Sequence, residues 1–135
     1  MVEIDVLYEG NLKCKLKHGP SGAEIATDAP KDNQGEGSAF SPTDLVAAAL
    51  GSCMLTIMGI WARNNGVSLA GARVHVTKEM TTTPQRRIAH LAVTLTVPGI
   101  SDPRTRQALE FAARACPVHQ SLRPEIEVPL KFVWE

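Results

Sequence analysis

Cys53 and the stretch Cys116-Pro117-Val118-His119 are the residues whose types and surroundings could do chemistry in this chain. A proline at the first position of a helix makes Cys116 its N-cap. Unpaired backbone N–H groups and the helix dipole favour a thiolate there. Cys53 lies within Leu45–Ala62, eighteen residues without a charge, about three turns inside a helix, where that help is absent. Local physics alone therefore makes Cys116 the more acidic thiol. Two readings stand for each residue, packing as a small apolar side chain or chemistry as a thiol. Cys116 and His119 also have the look of metal ligands, and Cys53 could join them. Zinc sites, however, usually announce themselves by paired CxxC or HExxH ligands, and neither motif is present. His18, His75 and His90 share no ligand spacing, and His75 and His90 fall on strand faces expected to be exposed. The chain has no glycine-rich phosphate loop and no GxSxG elbow.

The elements that must position these residues read as follows. Residues 2–8 alternate with period two, Gly10-Asn11 signals a turn, and "LKCKLKH" alternates again, which predicts a hairpin with Cys14 as an inward strand residue. "AEIATDAP" gives a weaker third strand, and "KDNQGEGSAFS" has the composition of a loop. Ser41-Pro42-Thr43-Asp44 combines an N-cap, a proline at the first helical position and an acid at the third. The helix it opens should run to Asn64 or Asn65 and stop at Gly66. Ala47, Gly51, Leu55 and Gly59 line up along it as a shallow groove for a second helix backbone. Strands follow at 72–80 and 87–97, with Val74 and Val76 on one side of the first and Leu91, Val93, Leu95 and Val97 on one side of the second. Ser101-Asp102-Pro103 starts a helix whose buried stripe would be Ala108, Leu109, Ala112 and Ala115. A short helix from Pro117 and a final strand in "EIEVPLKFVW" complete an α+β order, βββ-α-ββ-α-α-β.

Bulk properties narrow the partners. The 135 residues are most simply one domain, 1–135, and 44% apolar content suits an ordinary folded protein. Fourteen basic and fourteen acidic residues leave no surplus to neutralise phosphates, and aromatic content of 4% offers few stacking platforms, so nucleic acid is not expected as a partner. Three cysteines at wide spacing do not make a disulfide framework and point to a reducing, cytoplasmic setting. The first residues have neither the basic nor the apolar region of a signal peptide. Leu45–Ala62 reaches the lower length limit of a membrane span, but Gly51, Ser52, Thr56 and Gly59 dilute it, and the alternating strands around it need a core. A buried central helix, apolar on all sides, is the expectation, with no membrane. One small sheet cannot cover such a helix alone, so a second protomer is expected.

"FSPTDLVAAALGSC" followed by "ACPVHQSL" resembles the OsmC/Ohr family of osmotically inducible and organic hydroperoxide resistance proteins, most closely its OsmC-like branch. The "GEG" loop before the central helix belongs to the same pattern. The resemblance implies an OsmC-like fold in an intertwined homodimer with its two central helices packed at the middle. It implies thiol-dependent reduction of organic hydroperoxides, with Cys53 as the peroxidatic and Cys116 as the resolving thiol. The oxidised pair would be restored by a dithiol, in the best-known members a lipoylated protein, and the chemistry requires no metal or other cofactor. His119, one turn after Cys116, is the nearest local helper. Ohr-type members pair an N-terminal arginine with a glutamate ten positions before the first cysteine. Here that position is Thr43, and no arginine precedes Arg63. Lys13, Lys15, Lys17, His18 and Glu36 are the available substitutes. A non-catalytic dimeric protein binding a small apolar or thiol-reactive ligand is the alternative that this departure favours.

Overall fold

Ser41 and Asp44 close the N-terminus of the long helix reciprocally. Asp44 accepts from the Ser41 N–H at 2.9 Å, and Ser41 Oγ accepts from the Asp44 N–H at 3.1 Å. Both helix-terminal donors are thereby satisfied, with an aspartate in the place more often held by glutamate. The helix α1 spans Pro42–Asn64. It ends where the sequence signals, with Gly66 at a φ of 67° and the Val67 N–H returning to Ala62 O. A computed structural model describes all residues, 1–135, and divides them into two compact units, Met1–Val46 and Ala47–Glu135.

The first unit holds an antiparallel sheet in the order β1 (Ile4–Gly10), β2 (Lys13–His18), β3 (Glu24–Asp28). The hairpin turns through Asn11 and Leu12, both at positive φ, after a bulge at Gly10. Val6 faces Leu16 across the pair, and Tyr8 faces Cys14. Cys14 is half-buried, as an inward strand residue should be. Ile4, Val6 and Tyr8 are nonetheless each about 60% exposed, so this sheet keeps an apolar face without a cover of its own.

The second unit carries the core. Strands β4 (Arg73–Thr81), β5 (Arg87–Val97) and β6 (Leu130–Trp134) form a sheet with β5 in the centre, antiparallel to β4 and parallel to β6. Leu91, Val93, Leu95 and Val97 are buried together, as their alternation requires. Leu50, Met54, Met58 and Ala62 of α1 are buried at helical spacing. A parallel pair needs a crossover, supplied by α2 (Pro103–Arg114) and α3 (Pro117–Ser121). Asp102 caps α2, accepting from the Thr105 N–H at 3.1 Å and its Oγ1 at 2.7 Å. The final strand is shorter than its alternation suggests. Glu127 O and Pro129 O accept from Leu91 and Val93, so the segment already runs beside β5, but Pro129 has no N–H to continue the ladder.

Two details differ from the sequence reading. Ala115 lies exposed at the end of α2, and the buried positions are Leu109, Ala112 and Ala113. Gly51 does not lie in a groove open to another helix. A Cβ built there would stand 2.9 Å from Val76 Cγ2 and 3.1 Å from Val74 Cγ1, so the glycine admits the protein's own β4. Gly59, by contrast, has open space where its side chain would be. By length and composition α1 could cross a membrane. Its packing against β4 through Gly51 is the arrangement of a core helix.

Gly51→Ala should cost about 1 kcal/mol net. Overpacking two stiff valines costs roughly 1–3 kcal/mol, and alanine's helix propensity returns about 1. Chemical denaturation of the Gly51→Ala, Val76→Ala and double variants would check this. The double variant should be more stable than additivity allows.

Candidate active site

Helix α1 carries Cys53 as a half-buried residue, and the crossover returns the chain so that Cys116 caps α3. The two thiols, sixty-three positions apart in sequence, come close enough for Cys53 to act directly on Cys116. Both are free cysteines. Cys116 is fully buried. Its pKa lies above the ordinary thiol value, first because burial penalises the thiolate and second because of the neighbouring Cys53. Backbone N–H groups of His119 and Val118 act in the opposite direction. The helix terminus thus favours the thiolate as its position suggests, but burial outweighs it. The sequence-based expectation that Cys116 is the readily ionised thiol is corrected accordingly: it is the thiol that keeps its proton.

His119 is half-buried, and Cys116 at the N-cap of α3 makes no side-chain hydrogen bond to that terminus. Its imidazole makes no hydrogen bond to either thiol, and Nδ1 is buried without a partner. Cys53, Cys116 and His119 do not form a three-ligand cluster, nor does any other group of histidines, cysteines and carboxylates. His75 is exposed, and His90 on the central strand β5 pairs with Glu127 at 3.2 Å.

A separate charged cluster lies within the first unit. Lys13 Nζ reaches Glu36 at 3.1 Å and the buried Asp28 at 3.4 Å. Asp28 Oδ2 also accepts from Ser38 Oγ at 2.6 Å and the Ser38 N–H at 3.0 Å. Hydrogen bonds from Ser38, aided by the charge of Lys13, hold the Asp28 carboxyl down at about 2. Lys13 is held above its ordinary value, chiefly by its bond to Glu36. Among the basic residues that could stand in for the absent N-terminal arginine, Lys13 therefore takes Glu36 as its partner. Lys15 pairs more loosely with Glu9 at 3.9 Å, and His18 hydrogen-bonds Ser21. Spacing alone did not single out Asp28 or Ser38. The signal available was a polar residue at the end of a strand, beside a glycine-rich loop that could fold back over it.

A long helix laid on a sheet, with a free dithiol where the following crossover returns to it, defines the class as an α+β thiol protein. A family model for OsmC-like proteins matches residues 35–131. The chain belongs to the OsmC family. A solved Psychrobacter arcticus protein ascribed to the osmotic stress induced and detoxification response is 42% identical, with a TM-score of 0.92 over 98% of this chain and 96% of that one. An organic hydroperoxide resistance protein OsmC from Legionella pneumophila shares the fold at 19% identity and a TM-score of 0.75, over 98% and 96% of the two chains. Another organic hydroperoxide resistance protein, from Elizabethkingia anophelis, does so at 17% and 0.80, over 100% and 96%. Comparison with curated proteins finds no match.

Asp28→Asn should lower the denaturation midpoint at neutral pH. The native carboxyl sits at about 2 against 3.8 for a free aspartate. Its contribution is thus full above the unfolded value and is lost as pH falls through the native one. Denaturation midpoints of the two proteins should converge between pH 3.8 and about 2. A gap that stays constant across that range would mean Asp28 acts by packing alone.

Proposed function

We propose that the chain is a cytoplasmic, homodimeric thiol peroxidase that reduces organic hydroperoxides through Cys53 and Cys116. The observation that carries this reading is the juxtaposition of two free thiols, with Cys53 close enough to act directly on Cys116. In the first step the Cys53 thiolate attacks the hydroperoxide and the O–O bond breaks. The alkoxide leaves, takes a proton and becomes the alcohol, and Cys53 becomes a sulfenic acid. In the second step the Cys116 sulfur, giving up its proton, attacks the sulfenic sulfur and expels water to form a disulfide. A small-molecule or protein-bound dithiol, such as a lipoyl group, then exchanges with that disulfide and returns both thiols.

Accessibility supports the division of roles. Cys53 is partly exposed and can meet a substrate, whereas Cys116 is buried and keeps its proton. Such a thiol is suited to wait for an oxidised neighbour. His119, one turn after Cys116, would be the local helper as that sulfur gives up its proton. The uncovered apolar face of Ile4, Val6 and Tyr8, together with exposed Ile60 and Phe111, supports a second protomer. The alternative, a ligand-binding protein without turnover, is favoured by Thr43 and by the absence of any arginine before Arg63.

Reduced protein given one equivalent of cumene hydroperoxide should form a Cys53–Cys116 disulfide, seen by peptide mass spectrometry. Cys116→Ser should stop at a sulfenic acid on Cys53 that dimedone traps, and Cys53→Ser should leave the peroxide untouched. With dihydrolipoamide supplied, peroxide should be consumed in many equivalents. If the thiols stay reduced while a known thiol peroxidase in the same buffer turns over, the catalytic reading fails and the binding reading replaces it.

A further inference from the structure

The last turn of α3 and the chain that leaves it border a cavity of about 290 Å³. That is close to the smallest ligand sites and to roughly ten water volumes. Its polar wall is His119, Gln120 and Arg123, and its apolar wall is Leu122, Pro124 and Ile126. The wall is pinned in place. The Leu122 N–H donates to His119 O at 3.2 Å and the Ile126 N–H to Arg123 O at 3.1 Å, and Glu127 then bonds along β5. Those two bonds also engage carbonyl oxygens that would otherwise oppose an anion at this helix end. Neither thiol lines the cavity, and none of its residues belongs to the apolar surface left for a second protomer.

The polar wall is rich in donors. His119 Nδ1 is buried without a partner. A proton there would be a buried N–H with nothing to accept it, a rarer condition than a spare lone pair. The neutral ring therefore carries its hydrogen on Nε2, the nitrogen that is not sealed off, and offers it as a donor. Arg123 spends Nε on Glu125 and keeps the N–H groups of both terminal nitrogens. Gln120 gives one N–H to Arg114 O at 3.3 Å and keeps its second. Charge points the same way. Glu125 is held below its ordinary pKa first by its bond from Arg123, and the charge of Arg87 adds to this. Two guanidiniums thus surround one carboxylate, which leaves a single positive charge in surplus. The next carboxylate along the chain, Glu127, is committed to His90. A surplus of one suits a monoanion, and the apolar wall calls for an organic body behind the charge.

We propose that this cavity binds a small monocarboxylate of roughly ten non-hydrogen atoms, with its carboxylate on Arg123 and His119 Nε2 and its body against Leu122, Pro124 and Ile126. The site uses neither cysteine, so its occupancy does not depend on the peroxidase reading.

Calorimetric titration of the reduced protein at neutral pH with benzoate, benzyl alcohol and inorganic phosphate tests this. Benzoate should bind about tenfold more tightly than benzyl alcohol, the worth of one charge-assisted hydrogen bond. It should exceed phosphate, which has no apolar body, by a similar factor. Arg123→Gln should weaken benzoate about tenfold and leave benzyl alcohol unchanged. His119→Phe, which keeps a ring and removes the donor, should weaken benzoate about fivefold. Glu125→Gln takes away the competing carboxylate and should tighten benzoate about threefold, a gain that a damaged fold would not produce. Equal affinity for benzoate and benzyl alcohol overturns the proposal, as does benzoate binding that Glu125→Gln weakens or Arg123→Gln leaves intact. Phosphate bound as tightly as benzoate makes the cavity a site for inorganic oxyanions and overturns it too. Absence of heat with all three probes has the same consequence.

Discussion

The seating of β4 on α1 at Gly51 is the contact on which the second unit depends. Two valines occupy the space that any side chain would fill, and this fixes the height and rotation of the helix above the sheet. Rotation matters because successive residues on a helix point about 100° apart. With Gly51 turned to β4, Cys53 must present a different face, the one that meets α3. An alanine at position 51 is chemically trivial, yet it would press on the element that aims the thiol. A small residue two positions from Cys53 thus positions it without touching it.

Local signals are legible in the sequence wherever a single turn of chain decides the outcome. Ser41 and Asp44 cap α1, Gly66 ends it, Asp102 caps α2, and the turn at Asn11 joins β1 to β2. Long-range decisions were less legible. Nothing in "EIEVPLKFVW" specifies that it pairs parallel to β5, since alternation is the same for either direction. Ala115 fits the apolar stripe of α2, but the helix ends there and the position faces outward. Gly51 reads equally well as a seat for a helix or for a strand.

The thiols illustrate the same limit with a chemical consequence. Motif position places Cys116 at a helix N-terminus, and the backbone N–H groups of Val118 and His119 act on its sulfur as expected. Burial, which only the assembled fold creates, reverses the net direction. Similarly, Lys13 and Glu36 could be named as candidates, but their meeting around Asp28 depends on a loop folding back onto the end of β3. A sequence names the groups. Solvent exclusion decides which of them carry charge.

The parallel pairing of β6 bears on how the protein is made. Synthesis delivers Cys53 long before Cys116, and the crossover holding the latter closes only when the last strand in chain order joins β5. Such a non-local closure costs loop entropy that nearer contacts do not. During translation Cys53 is therefore without the cysteine that stands beside it in the folded chain. On the proposed chemistry, an oxidant met at that stage finds no Cys116 sulfur in place to trap a sulfenic acid as a disulfide, and further oxidation is irreversible. Nascent chains should thus be more vulnerable to oxidative damage than the finished protein.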